Sequence, residues 1–82
     1  MVVISARARR ELRKMGCGGP NFLRVSRRHG LGSGCGFFVD SSMDPADEVL
    51  HDGEIKVVAD LSSAPYLKDL AIDFGSAGIT VS

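Results

Sequence analysis

Four side chains in this 82-residue chain could bind a soft or borderline metal: Cys17, Cys35, His29 and His51. None is paired as Cys-x-x-Cys or His-x-x-x-His, so the spacing does not build a structural zinc site. Both cysteines nevertheless stand among glycines, in Gly16-Cys17-Gly18-Gly19 and Gly34-Cys35-Gly36. A thiol flanked by glycines has little side-chain cover and several amides nearby, which favours thiolate and leaves it open to iron or zinc. The competing reading makes each cysteine a small, half-buried residue with no role, and His51, beside a turn, is expected to be solvated. A Cys35–His29 nucleophile pair can be written down, but catalysis also needs a pocket and oxyanion donors that a thin-cored domain of this size rarely supplies. No catalytic residue and no enzyme activity are expected. Gly30-Leu31-Gly32-Ser33-Gly34 offers backbone amides to an anion, yet it feeds a strand and lacks the P-loop lysine, so it is not a nucleotide fingerprint.

The elements that would position these residues follow from the local pattern. Val2-Val3-Ile4 is a short β-branched run, and Ser5 can cap a helix whose apolar residues Ala8, Leu12 and Met15 fall on one face while the arginines point away. Gly16 stops that helix, and Phe22 to Arg28 then alternates as a half-buried strand with Leu23 and Val25 on the inner face. After the glycine loop 30–36 comes the aromatic strand Phe37-Phe38-Val39-Asp40. Asp52-Gly53 lies between the strand-like runs 48–51 and 54–59 and predicts a two-residue type I′ hairpin. Ser62 to Leu67 reads as a capped single helical turn with its proline in the first turn, and 70–74 and 79–81 complete the set of strands. The expected fold class is mainly β with α+β character: a β-sandwich or barrel-like domain over residues 1–82, one N-terminal amphipathic helix and a short helical turn near 62–67. Leu12, Met15, Leu23, Val25, Val57, Leu67 and Ile72 are the expected core.

Composition bounds the function classes. With 44% apolar and 24% charged residues the chain is ordinary globular stock. Its longest uncharged stretch is glycine-rich and too short for a bilayer, and Met1 to Ile4 runs into arginines rather than an export signal's apolar region. No membrane association is expected, and two cysteines without an export signal point to the reducing cytoplasm. The net charge is zero but divided: residues 1–28 hold eight cations against Glu11, for +7, and residues 29–82 carry −7. Such polarity suits an anionic partner or a homodimer, though a solvated helix face would also produce it. Nucleic acid is not the expected partner, because no aromatic residue is interleaved with the arginines for stacking.

The order of the pieces resembles the HesB/IscA-like, or A-type iron–sulfur biogenesis, family. The resemblance lies in the capped helix after Val3-Ile4-Ser5, in Leu23-Arg24-Val25, in Gly34-Cys35-Gly36 and Phe38-Val39-Asp40, and in Asp47-Glu48-Val49, Gly53 and Val57-Val58-Ala59-Asp60. It continues through Ser63-Ala64-Pro65-Tyr66-Leu67 and Ile72-Asp73-Phe74, and so covers nearly the whole chain. Carriers of the family also have a C-terminal Cys-Gly-Cys pair, which does not occur in these 82 residues. Matching Gly34-Cys35 to the family cysteine requires a gap before Phe38, whereas ungapped counting puts His29 there. The resemblance implies a diverged iron–sulfur-biogenesis-like protein that carries iron or a [2Fe–2S] cluster and works with assembly or acceptor proteins. Cys35 would be the primary ligand, with Cys17 or His29 secondary. A cluster generally takes four ligands, which these residues reach only across a homodimer. The other readings are an interaction module that keeps the fold without metal, and an anion or nucleic-acid binder using the basic first third.

Overall fold

Ser5 fixes how the chain begins. Its hydroxyl accepts from the amide of Ala8 at 3.1 Å and donates to Asp73 at 2.7 Å, capping the helix and tying its start to a distant strand. The computed structural model describes residues 1–27 and 35–82. It contains β1 (Val3–Ile4), α1 (Ala6–Lys14), β2 (Phe22–Arg27), β3 (Cys35–Asp40), β4 (Glu48–Asp52), β5 (Lys56–Ala59), a 3-10 turn (Ala64–Tyr66), β6 (Ala71–Gly75) and β7 (Gly78–Val81). The mainly β class with a single α-helix is as the residue pattern implies. No described helix is long and apolar enough to cross a membrane.

The strands form a four-stranded sheet ordered β3-β2-β5-β4 and a three-stranded sheet ordered β1-β6-β7, each with one parallel pair, β2·β5 and β1·β6. Period-two alternation puts Leu23 and Val25 of β2 beside Val57 and Ala59 of β5. These four bury completely, and α1 adds Ala8 and Leu12 to the same core, with Ile72 of β6 and Leu67. Six of the seven expected core residues are therefore inside.

Met15 is the exception, at 47% exposure. The helix ends at Lys14, and the amide of Cys17 donates to the Leu12 carbonyl at 3.0 Å, so the chain swings Cys17 rather than Met15 into the core. Gly18 (φ 130°) and Gly19 (φ 57°) then reverse the chain into β2, through backbone angles a side chain would resist. Met15→Ala is accordingly expected to change stability by no more than about 0.5 kcal/mol in urea unfolding. A larger loss would show that Met15 packs.

Three local expectations are corrected. The β4–β5 hairpin is present, but Asp52 pairs with Lys56, which leaves a three-residue loop, and neither Asp52 nor Gly53 has positive φ. Tertiary contacts override the type I′ preference here: Ile55 is 1% exposed in the core, and Glu54 reaches Arg9 and Arg13 of α1. A register shift between Val49 and His51 accommodates the change. The helical turn near 62–67 is a 3-10 turn with no side-chain cap from Ser63; the Asp60 carboxylate accepts from the Ser63 amide at 2.8 Å instead. Finally, the backbone of Cys35 and Gly36 belongs to β3 rather than to a glycine turn, because the ladder with β2 continues to the pair Arg27–Cys35.

Strand order forces one long crossing. Since β3 and β4 are opposite edges of their sheet, residues 41–47 must pass over β2 and β5. They do so on the face away from the core, where Arg24 holds them: its guanidinium donates to Asp40 (2.9 Å), to both oxygens of Asp47 (2.9 and 2.6 Å) and to the Ser42 carbonyl (3.0 Å). Arg24 also lies 5.5 Å from the Phe22 ring centroid.

Candidate functional site

The end of the four-stranded sheet where β2 finishes and β3 begins is set by three elements. Arg27 closes β2, and its Cα partner across the ladder is Cys35, the first residue of β3. The Arg27 amide donates to the buried hydroxyl of Ser63 at 3.2 Å, which fastens the 3-10 turn to the strand end. Tyr66, 65% exposed, lies under the Arg27 guanidinium, with the charge 4.0 Å from its ring centroid. That is a cation–π contact. Hydrogen bonds from Ser63 and Ser62 hold the Asp60 carboxyl below its ordinary range and complete the support of the turn. The strand partner of the Cys35 backbone is therefore a residue whose guanidinium lies on an exposed aromatic ring.

Cys17 is elsewhere. It is 5% exposed, it belongs to the core, and burial pushes its thiol pKa up. Flanking glycines alone would favour thiolate there; the surrounding core does the opposite. It precedes β2, whereas Cys35 is opposite the last residue of β2, so about one six-residue strand, roughly 17 Å, lies between the two positions. One chain does not bring its two cysteines to a common site. His29 lies outside the described residues, in the connection whose ends, Arg27 and Cys35, are cross-strand partners. His51 is half-buried on β4, with its ring against Gly53, so it is less solvated than expected. Among the described residues no three His, Cys, Asp or Glu side chains cluster as a metal site.

Sequence reasoning missed the Arg24 network. Its parts lay in the motifs Leu23-Arg24-Val25, Phe38-Val39-Asp40 and Asp47-Glu48-Val49, but nothing in their spacing showed that one arginine joins all three. Hydrogen bonds from Arg24 and from the Asp44 amide hold the Asp47 carboxyl down to about 2. Arg24 and the amides of Ser41 and Ser42 lower Asp40 as well. These motif residues anchor a crossover and do not line a site. The Arg27–Tyr66 contact was also missed, since the Pro65-Tyr66-Leu67 segment read only as a turn.

No protein-family model matches the chain, and no curated protein sequence matches it significantly. Among solved structures it is similar to the crystal structure of Escherichia coli SufA, a protein involved in the biosynthesis of iron–sulfur clusters. The match covers 99% of this chain and 78% of the SufA chain, with a TM-score of 0.67 and 18% sequence identity. At that identity the likeness is one of fold. The two mixed sheets with their one helix are a SufA-like fold, and the likeness extends over essentially the whole of this chain.

Proposed function

We propose that the chain is a diverged iron–sulfur-biogenesis protein that carries iron or a [2Fe–2S] cluster as cargo through Cys35, without enzymatic activity of its own. The observation that carries this reading is the coincidence of a SufA-like fold with a cysteine at the start of β3, the strand partner of Arg27. Thiolate is the form of cysteine that binds metal, and a cation on the strand partner of Cys35 is of the sign that would favour it. Cys17 does not fit the role, being a core residue with a raised thiol pKa. Cys35 is then the primary ligand and His29, six residues earlier, the second; two copies of the chain supply the four ligands a cluster generally takes. The assembly is a homodimer that exchanges its cargo with assembly or acceptor proteins, in a reducing compartment such as the cytoplasm.

Anaerobic reconstitution with iron and sulfide tests this reading on the wild type, Cys35→Ala and Cys17→Ala, with circular dichroism as the fold control. The wild type and folded Cys17→Ala should give a visible-absorbing dimer, and Cys35→Ala should give none. A wild type that stays colourless and takes up neither Fe(II) nor Zn(II) by calorimetry would overturn the carrier reading and leave an interaction module on the same fold.

A further inference from the structure

Helix α1 carries Arg7, Arg9, Arg10, Arg13 and Lys14 in nine residues, against Glu11 alone. Arg13 and Lys14 suit the last turn, and Lys14 pairs with Glu11, but the remaining cations work against the helix. Its first turn holds no acidic residue, although the positive end of the helix dipole favours carboxylates there and disfavours Arg7. Arg7 and Arg10, Arg10 and Arg13, Arg9 and Arg13, and Arg10 and Lys14 are like charges three or four residues apart, each pair mildly repulsive. Part of that repulsion is relieved from outside: Glu54 of the β4–β5 loop pairs with Arg13 and, at 3.8 Å, with Arg9. Among the described residues Arg7 and Arg10 enter no ion pair. Arg10 instead lines an open cavity of about 250 Å³ together with Ala6, Arg9, Arg13 and Glu54.

We propose that this cavity and the outer face of α1 dock an acidic segment of a partner protein, whose carboxylates take the place that Glu54 holds in the free chain. The chemistry of the occupant follows from Glu54 itself, since a carboxylate on a flexible side chain is what the arginines already grip. Nucleic acid fits less well because no aromatic residue lines the cavity for base stacking. A bilayer fits less well because the apolar residues of α1, Ala8 and Leu12, are inside the protein and leave nothing to insert. Among the described residues a second copy offers no run of free carboxylates: Asp40 and Asp47 serve Arg24, Asp69 holds the N-terminal ammonium, Asp60 and Asp73 accept from Ser63, Ser5 and Phe74, and the exposed, unengaged Glu48 and Asp52 stand apart at the two ends of β4. The surface lies on α1, apart from the Cys35 end of the sheet, so the proposal does not depend on metal carriage.

Fluorescence anisotropy with a labelled deca-glutamate peptide at low salt tests it on the full chain. Glu54→Gln frees Arg9 and Arg13 and should tighten binding about threefold, whereas Arg10→Glu should weaken it about fivefold or more, the scale of one exposed ion pair lost and one repulsion gained. Arg10→Glu should at the same time raise the thermal midpoint of the free protein, because it exchanges like-charge neighbours for opposite ones. That opposition between stability and binding is what a merely solubilising helix face would not show. The proposal fails if Glu54→Gln binds no tighter than wild type, or if Arg10→Glu binds equally well. It fails equally if a duplex oligonucleotide of equal charge or an anionic phosphatidylserine vesicle outcompetes the peptide, or if a second copy of the chain occupies α1 and excludes the peptide.

Discussion

Leu23→Ala is expected to lower the unfolding free energy by about 2–5 kcal/mol, the range for truncating a buried leucine and leaving part of the cavity open. Leu23 is fully buried on the central strand of its sheet, paired with Val39 of β3 on one side and Val57 of β5 on the other. Neither neighbour can close the gap without breaking its own ladder, so little relaxation is available. Small domains of this size hide only about 60% of their unfolded surface and stand near the low end of native stabilities, so the loss approaches the whole margin. Urea unfolding should show a lower midpoint at unchanged slope, with Phe38→Ala, on the exposed outer face of β3, as a mild comparison. A loss for Leu23→Ala below about 1 kcal/mol would contradict the inward phase of β2.

The inward phase was legible because it rests on period-two alternation, which a single sequence carries in full. The same holds for Ser5, since a cap acts on amides within three residues. What the sequence hid depends on contacts between distant segments. Asp52-Gly53 has a strong local preference for a two-residue turn, but Glu54 answers to arginines some forty residues away and Ile55 to the core, and together they outweigh it. Met15 and Cys17 exchanged places for a related reason: helical periodicity cannot show where the helix stops or that the chain beyond it folds Cys17 back into the core. The candidate site was legible only as an isolated cysteine among glycines. That its strand partner is Arg27, and that Tyr66 lies against Arg27, depends on the ladder register and on the 3-10 turn being fastened to β2 by Ser63. The equivalence of the two cysteines, suggested by their matching glycine neighbours, dissolved because one set of glycines turns the chain into the core while Gly36 continues a strand.

Arg24→Met should destabilise the fold by about 2–3 kcal/mol, less than a fully buried ion pair would cost because the Arg24 side chain is 15% exposed. Methionine keeps most of the packing over Phe22 but takes the guanidinium from the Ser42 carbonyl and from Asp40 and Asp47, which keep only their backbone-amide donors, and it releases the crossover that covers the outer face. Arg24→Lys should recover little, because one ammonium cannot reproduce a fork that binds Asp47 through two parallel bonds while also reaching Asp40. The same network predicts an acid dependence with a definite sign. Asp47, at about 2, and Asp40 both lie below the unfolded carboxyl value of about 3.9. Their contribution is therefore present in full above about pH 5 and is lost as the pH falls from about 4 towards 2. Asp60, Asp69 and Asp73 are lowered as well, by Ser63, the N-terminal ammonium and Ser5 respectively, so Arg24→Met should flatten the acid limb without abolishing it. Urea midpoints at pH 7, 4 and 2.5 would measure this. If the wild type and Arg24→Met lost stability in parallel over that interval, the dependence would belong to the turn-capping carboxylates, and Arg24 would hold the crossover by packing rather than by charge.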